Sequence, residues 1–229
     1  MSGPVVAIVL AAGRGERLGL GTPKAFLELG GEALLVRACR SASSTSAVTS
    51  VVAVVPSGLE AEAEGLLERV GVAAIVPGGD TRRASVAAGL QAVSLDASVV
   101  VSHDAARPFP GASLFEEVIA ALDDADGAVP VLPVPDTVKR VRDGIVIGTE
   151  PREELALAQT PQAFRAEALR NAHAKAVFDV EATDDASLLE RAGYRVRAVP
   201  GDPVNFKITT VEDLARAEAL LHRTGGLVG

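Results

Sequence analysis

Short apolar runs rich in valine and isoleucine recur at Val5–Leu10, Val51–Val55, Ala73–Val76 and Ser98–Ser102, and between them the apolar residues change to helical spacing. Leu34, Leu35, Ala38 and Ala42 fall on one helical face, as do Val86, Leu90 and Val93, and then Leu114, Val118, Ile119 and Leu122. Continuous rather than alternating apolar strands indicate burial on both faces. Strands alternating with helices predict an α/β fold with a mostly parallel, twisted sheet flanked by helices. In such sheets ligands gather beyond the carboxyl ends of the strands, so function is expected in the loops that lead from strand to helix.

Two segments depart from this rhythm. Lys139–Arg142 and Ile145–Ile147 are joined by Asp143-Gly144, a pair suited to a type I′ hairpin turn. A two-stranded ribbon is not stable alone, and Pro130, Pro133 and Pro135 set this one apart. It must pack on a second subunit or on its own domain. Near the C-terminus, Thr209 and Glu212 read as a capping box ahead of a helix carrying Val211, Leu214, Ala215 and Leu221.

Length and composition narrow the class. At 229 residues and 48% apolar content, one domain spanning 1–229 is expected, with the arm at 135–153 inside it. The net charge of −8 is dispersed, which argues against nucleic acid or an anionic membrane as partner. Any phosphate must therefore meet local positive charge. The lone Cys39 lies in a helical apolar pattern and reads as a buried structural thiol, with no disulfide framework and no thiolate zinc site. No stretch reaches the roughly 18 to 20 apolar residues of a membrane span, and the opening apolar run reads as a strand rather than a leader. A cytoplasmic protein is expected.

The first strand runs into Ala11-Ala12-Gly13-Arg14-Gly15-Glu16-Arg17-Leu18, followed by Pro23-Lys24. Small residues let a ligand approach the backbone, glycines let N–H groups turn around an oxyanion, and Arg14, Arg17 and Lys24 add fixed cations. The loop lacks the Gly-Lys-Ser/Thr ending of a Walker A motif. It also lacks the third glycine of the dinucleotide fingerprint, since Leu18 stands there, so NAD chemistry is not expected.

Two further loops suit the same ligand. Gly78-Gly79-Asp80-Thr81-Arg82 leads to Ser85, and His103-Asp104-Ala105-Ala106-Arg107-Pro108 follows a buried strand. Asp104 is the candidate to hold magnesium on a triphosphate, directly or through water. Asp80 has an equal claim to be a helix cap, and His103 reads as a hydrogen-bonded core histidine. For an acceptor, the later chain offers Lys139, Arg140, Arg152 and Lys207 with hydroxyls at Thr137, Thr160 and Thr183. Lys207 is expected in an apolar strand, Asn205–Thr209, where a buried ammonium needs a partner such as a phosphate.

Together, Ala11-Ala12-Gly13-x-Gly-x-Arg17, Pro23-Lys24, Gly78-Gly79-Asp80, His103-Asp104-Ala105-Ala106-Arg107-Pro108, Asp136-Thr137, Thr160-Pro161-Gln162, Thr183-Asp184 and Asn205-x-Lys207 resemble the 2-C-methyl-D-erythritol 4-phosphate cytidylyltransferase family, in order, from residue 5 to about 215. The resemblance implies a Rossmann-like nucleotide-diphosphate-transferase fold. It also implies transfer of CMP from CTP to the phosphorylated alcohol with release of pyrophosphate, a requirement for Mg²⁺, and a homodimer joined by the arm. By the same match, Arg17 and Lys24 stabilise the α-phosphate, while Arg152 and Lys207 position the acceptor phosphate. Ala11, Ala12, Gly13, Arg14, Gly15, Gly78, Gly79, Asp80, Ser85, Asp104 and Ala105 hold the nucleotide, and Arg107, Thr137, Thr160 and Thr183 line the acceptor pocket.

The sequence departs from the family's common pattern at Leu18, at Ala25 and at the approach Glu150-Pro151-Arg152. Lys139 and Arg140 therefore stand as alternatives to Arg152. A ribitol 5-phosphate cytidylyltransferase shares the nucleotide loops, and a silent nucleotide-binding module of the same fold would be expected to have lost Arg17 or Lys24.

Overall fold

The computed structural model describes residues 3–13, 23–175 and 183–225. Arg14, Gly15, Arg17 and Leu18 lie outside them. The opening apolar run forms β1 (Val5–Leu10), which pairs in parallel with β4 (Ser50–Val55) on one side and β6 (Val99–Asp104) on the other. Two short strands, β2 (Glu28–Leu29) and β3 (Glu32–Ala33), intervene as a hairpin, and β5 (Ala74–Pro77) pairs with β4 at the sheet edge. The chain thus steps outward from β1 and then returns to its other side with β6. That reversal of direction opens a crevice beyond the carboxyl ends of β1 and β6.

Residue alternation divides the core. Ala7, Val9, Val51, Ala53, Val99 and Val101 face a layer containing α1 (Leu34–Ser43) and α4 (Ala112–Ala120). Val6, Ile8, Val52, Val54 and Val100 face the opposite layer, built from α3 (Arg82–Ala92), α5 (Ala166–Lys175) and α6 (Asp185–Arg191). Period-two side-chain direction with cover on both faces explains the unbroken apolar runs. Cys39 is fully buried in the first layer, and burial pushes its thiol up to about 12. The β5 edge is only half-buried, a departure from the expectation of two covered faces.

The sheet continues with β7 (Gly127–Pro133), β10 (Ala156–Ala158), β11 (Gln162–Arg165) and β12 (Val196–Pro200). Its order is β10-β7-β11-β6-β1-β4-β5, with β12 paired to β7, and β10 and β11 run antiparallel to their neighbours. The arm is β8 (Val138–Arg142) and β9 (Ile145–Glu150). Asp143 (φ 50°) and Gly144 (φ 76°) both occupy the left-handed region, as a type I′ turn demands. Between β4 and β5 lies α2 (Glu60–Leu67), and the chain closes with α7 (Val211–Gly225). Among the described residues, no helix is long and apolar enough to cross a membrane.

Three expectations shift. The strand predicted to stop at Ser102 continues through His103 and Asp104, so these residues end a strand instead of opening a loop. The segment 205–209 is not a strand: it is tied to the body by Asn205 Nδ2 donating to the Thr160 carbonyl and the Ile208 amide donating to Ala106. The helix box also moves by one residue. Asp213 accepts from the Thr209 and Thr210 amides at 2.8 and 3.0 Å, and the Asp213 amide donates to Thr210 Oγ1 at 3.3 Å.

Candidate active site

The crevice is a cleft of about 410 Å³ lined by Ala11, Ala12 and Gly13 after β1, Lys24 and Ala25, Pro56 and Ser57 after β4, Gly78 to Arg82 after β5, Ser85, Asp104 to Ala106 after β6, and Lys207. Backbone bonds lock the strand ends together. The Ala11 amide donates to Val54, the Gly78 amide to Val55 and the Ala105 amide to Leu10. Gly78 must be glycine here, because a Cβ on it would sit 2.3 Å from the Cβ of Ala12.

The cations come from opposite ends of the chain. Lys24 opens a single turn of 3₁₀ helix over Lys24–Phe26, and its ammonium donates to the Ile208 carbonyl at 3.0 Å. Ile208 belongs to a small apolar cluster with Leu29, Leu34 and Ala217, so α7 and the β2–β3 hairpin brace the two lysine-bearing segments against each other. The Lys207 ammonium lies 2.6 Å from Asp104 Oδ2, with the lysine side chain 38% exposed. Lys207 was expected to be buried in a strand awaiting a phosphate. It is half-buried in an irregular segment, and a carboxylate already compensates it.

Asp104 is at the centre. Burial alone would raise its carboxyl, but the Lys207 ammonium and Arg82 guanidinium outweigh burial and hold it far below the usual carboxylate range. Its amide donates to Thr160 Oγ1 at 3.0 Å. That hydroxyl lies 3.1 Å from His103 Nδ1, and His103 Nε2 lies 3.0 Å from the Arg107 carbonyl. A carbonyl can only accept, so Nε2 carries the proton and Nδ1 accepts from Thr160. Burial drives the imidazole down to about 4, which keeps it neutral. His103 is therefore the hydrogen-bonded core histidine that the sequence suggested.

The remaining candidates separate into two groups. Asp80 lines the cleft and is not the α3 cap, which is Thr81, whose Oγ1 accepts from the Ala84 amide at 3.0 Å. Ser85 Oγ accepts from the Gly79 amide at 3.2 Å and so fixes the glycine loop. Arg107 is turned away from the cleft lining: Nη1 donates to the Asn205 carbonyl at 2.8 Å and Nη2 to Ala158 at 3.3 Å. Thr160 is buried beneath the cleft rather than on it.

Thr137, Arg152 and Thr183 are exposed, and none lines this cleft. Arg152 Nη1 donates to the Pro135 carbonyl at 2.8 Å, at the root of the arm. Lys139 donates to Thr149 and Arg140 pairs with Glu150, so both alternatives to Arg152 are engaged along the arm.

The sequence reading missed the ion pair between Arg82 and Asp185. Arg82 lines the cleft, and its Nη1 lies 2.9 Å from Asp185 Oδ2, with Asp185 fully buried at the start of α6. Arg82 was visible only as the end of a glycine loop, and Asp185 carried no signal beyond its place beside Asp184.

A model of the 2-C-methyl-D-erythritol 4-phosphate cytidylyltransferase family matches residues 5–223. The chain is 51% identical over 221 residues to the protein of that name from Rhodococcus opacus, covering 96% of each. It is 47% identical to the one from Saccharopolyspora erythraea, covering 95% of this chain and 99% of the other. Among solved structures, the Thermus thermophilus cytidylyltransferase superposes with a TM-score of 0.78 at 39% identity, covering 97% of this chain and all of that one. The 4-diphosphocytidyl-2C-methyl-D-erythritol synthase from Anaerococcus prevotii gives 0.86 at 30% identity, covering 96% and 97%.

Proposed function

The chain belongs to the 2-C-methyl-D-erythritol 4-phosphate cytidylyltransferase family, and from that membership we propose how its residues carry out the reaction. The enzyme is a nucleotidyltransferase that moves CMP from CTP onto 2-C-methyl-D-erythritol 4-phosphate, in isoprenoid precursor synthesis. An oxygen of the acceptor phosphate attacks the α-phosphorus of CTP in line. The bond from that phosphorus to the bridging oxygen of the β-phosphate breaks, and pyrophosphate leaves with the electron pair. A phosphate monoester is already an anionic nucleophile at neutral pH, so no general base is called for, and catalysis rests on orientation and fixed charge.

The observation that carries the assignment of roles is the presence of Lys24 and Lys207 on one cleft, beside the glycine loop at 78–79. Lys24, with Arg17, meets the charge that develops on the α-phosphate, and Arg14 joins the nucleotide-binding residues. Lys207 holds the acceptor phosphate. Ala11, Ala12, Gly13, Gly15, Gly78, Gly79, Asp80, Ser85 and Ala105 seat the nucleotide, largely by backbone groups. Thr160 and Arg107 serve the acceptor side by fixing Asp104 and the 205–208 segment in place.

Magnesium fits a donor set of this kind. Among the described residues no group of three or more metal-ligating side chains occurs, but Mg²⁺ takes most of its ligands from phosphates and water and needs only one or two carboxylates. Asp104 supplies that carboxylate. When bound, the ion would neutralise part of the triphosphate charge.

The arm exposes Val141, Ile145, Val146 and Ile147 at 57, 66, 58 and 47%. Apolar side chains bunched on a ribbon that cannot stand alone support a homodimer in which arm 135–153 of this single 1–229 domain carries Thr137 and Arg152 to the neighbouring site, where Thr183 completes the acceptor wall. The use of CTP supports a cytoplasmic location.

Pyrophosphate release measured with each of the four nucleoside triphosphates, against methylerythritol phosphate and ribitol 5-phosphate, tests the reading. CTP with methylerythritol phosphate is the expected pair, with activity lost to a chelator and restored by magnesium. Preference for UTP overturns the base assignment, and preference for ribitol phosphate overturns the acceptor.

A further inference from the structure

Behind the cleft wall, charges alternate in an unbroken row. Lys207 Nζ is 2.6 Å from Asp104 Oδ2, Asp104 Oδ1 is 3.7 Å from Arg82 Nε, Arg82 Nη1 is 2.9 Å from Asp185 Oδ2, and Asp185 Oδ1 is 3.2 Å from His173 Nε2. Ser102 Oγ also donates to Asp185 Oδ2 at 2.9 Å. Asp185 is wholly buried, and an uncompensated carboxylate there would be strongly destabilising. Burial pushes its carboxyl upward, but the Arg82 charge and the bonds from His173 and Ser102 outweigh it and keep the group ionised.

Such an arrangement fixes Arg82 in place. Its fork is divided between two carboxylates, and Nη2 is buried with no hydrogen-bond partner among the described residues. A guanidinium held only for structure would be expected to use all of its donors on the protein. The two cations on Asp104 are also unequal: the half-buried Lys207 takes the short contact, while Arg82 is anchored behind at the longer one.

We propose that Arg82 and Asp185 are a positioning pair, in which Asp185 holds the Arg82 guanidinium beside Asp104 so that Asp104 stays compensated when Lys207 turns to the acceptor phosphate. The proposal rests on the reading of Lys207 as the acceptor's phosphate ligand. In the substrate-free enzyme the Lys207 ammonium is paired to Asp104, and binding an anion draws it away. Withdrawal of one of its cations would leave the Asp104 carboxylate undercompensated, which would both oppose that movement and repel the incoming phosphate. With Arg82 already 3.7 Å from the other oxygen, a small approach replaces one ion pair by another.

The test is a cycle of Arg82→Gln, Lys207→Gln and the double variant, reading KM separately for CTP and for methylerythritol phosphate. Arg82→Gln is expected to raise the acceptor KM by about 10- to 100-fold, the size of one lost charge-assisted bond, while the CTP KM changes little. In the Lys207→Gln background the same change should add almost nothing, because the lysine it releases is gone. Arg82→Lys, which restores the charge, should recover part of the acceptor KM at whatever melting temperature it shows. Asp185→Asn should move the acceptor KM in the same direction.

Equal additive losses in both backgrounds, or a lowered melting temperature with both KM values intact, would overturn the positioning role and leave Lys207 untouched. If Lys207→Gln itself leaves the acceptor KM unchanged, the reading of Lys207 fails, and the inference fails with it.

Discussion

The ammonium of Lys24 donates to the carbonyl oxygen of Ile208 at 3.0 Å, joining two positions 184 residues apart and placing Lys24 beside the neighbour of Ile208, Lys207. The two lysines assigned to the α-phosphate and to the acceptor are thus braced by one contact. Tying the two lysine-bearing segments together limits how far apart the phosphates they grip can lie, which is what in-line transfer needs.

Replacing Lys24 by alanine is expected to lower kcat by about 10² to 10³, the loss typical of one preorganised electrostatic contact to a developing charge. Circular dichroism should show the fold retained. A variant with near-normal kcat would remove Lys24 from the chemistry.

Gly78→Ala should reshape the nucleotide loop. The new methyl meets Ala12 Cβ at 2.3 Å and Ser85 Oγ at 2.9 Å, so overpacking of about 1–3 kcal/mol is expected in urea unfolding, with a raised KM for CTP. Adding Ala12→Gly should recover part of both effects, since it removes the nearest clashing atom.

His103 gives the stability a pH dependence of defined sign. Its imidazole titrates near 4 in the fold against 6.5 when unfolded, so the unfolded chain binds the proton first as pH falls. Its contribution is complete above about 6.5, and about 3 kcal/mol of it is lost between there and pH 4, with no further change from this group below. Urea midpoints across pH 7 to 4 should show a steeper decline for the parent chain than for His103→Asn. Parallel declines would remove His103 as the source of the loss, since the depressed Asp104 and Asp185 carboxyls give up their contribution only at lower pH.

Much of this was legible in the chain. Periodicity gave β1, β4, α1 and α4 because each buries a continuous apolar set, and Asp143-Gly144 gave the arm because few pairs accept two left-handed residues in succession. Other features left no local trace. Thr209 and Thr210 precede Glu212 and Asp213, so the box fits equally well in two registers, and only packing selects the second. Asn205–Thr209 looks like a strand but bonds to the body partly through side chains, which a pattern of apolar residues cannot reveal. The Arg82–Asp185 pair joins a loop after β5 to a helix far along the chain, and burial of a single carboxylate is invisible to periodicity.

The arm can be tested by complementation. Mixing Lys24→Ala with Arg152→Ala under conditions that exchange subunits should restore about a quarter of parental activity, because half the dimers are mixed and each has one intact site. No recovery would mean that Arg152 serves its own subunit. Val146→Asp should shift sedimentation from dimer toward monomer, since it places a charge among exposed Ile145 and Ile147.

The docking of 205–208 beyond the end of β6 has a consequence for how the enzyme comes into being. A nascent chain released as far as β12 already holds every strand of the main sheet, yet Asp104 lacks Lys207 and the Lys24 ammonium lacks its carbonyl anchor. Domains emerging from the ribosome fold from their beginning. This one can assemble its scaffold early, but it stays chemically silent until translation delivers Lys207 and Ile208.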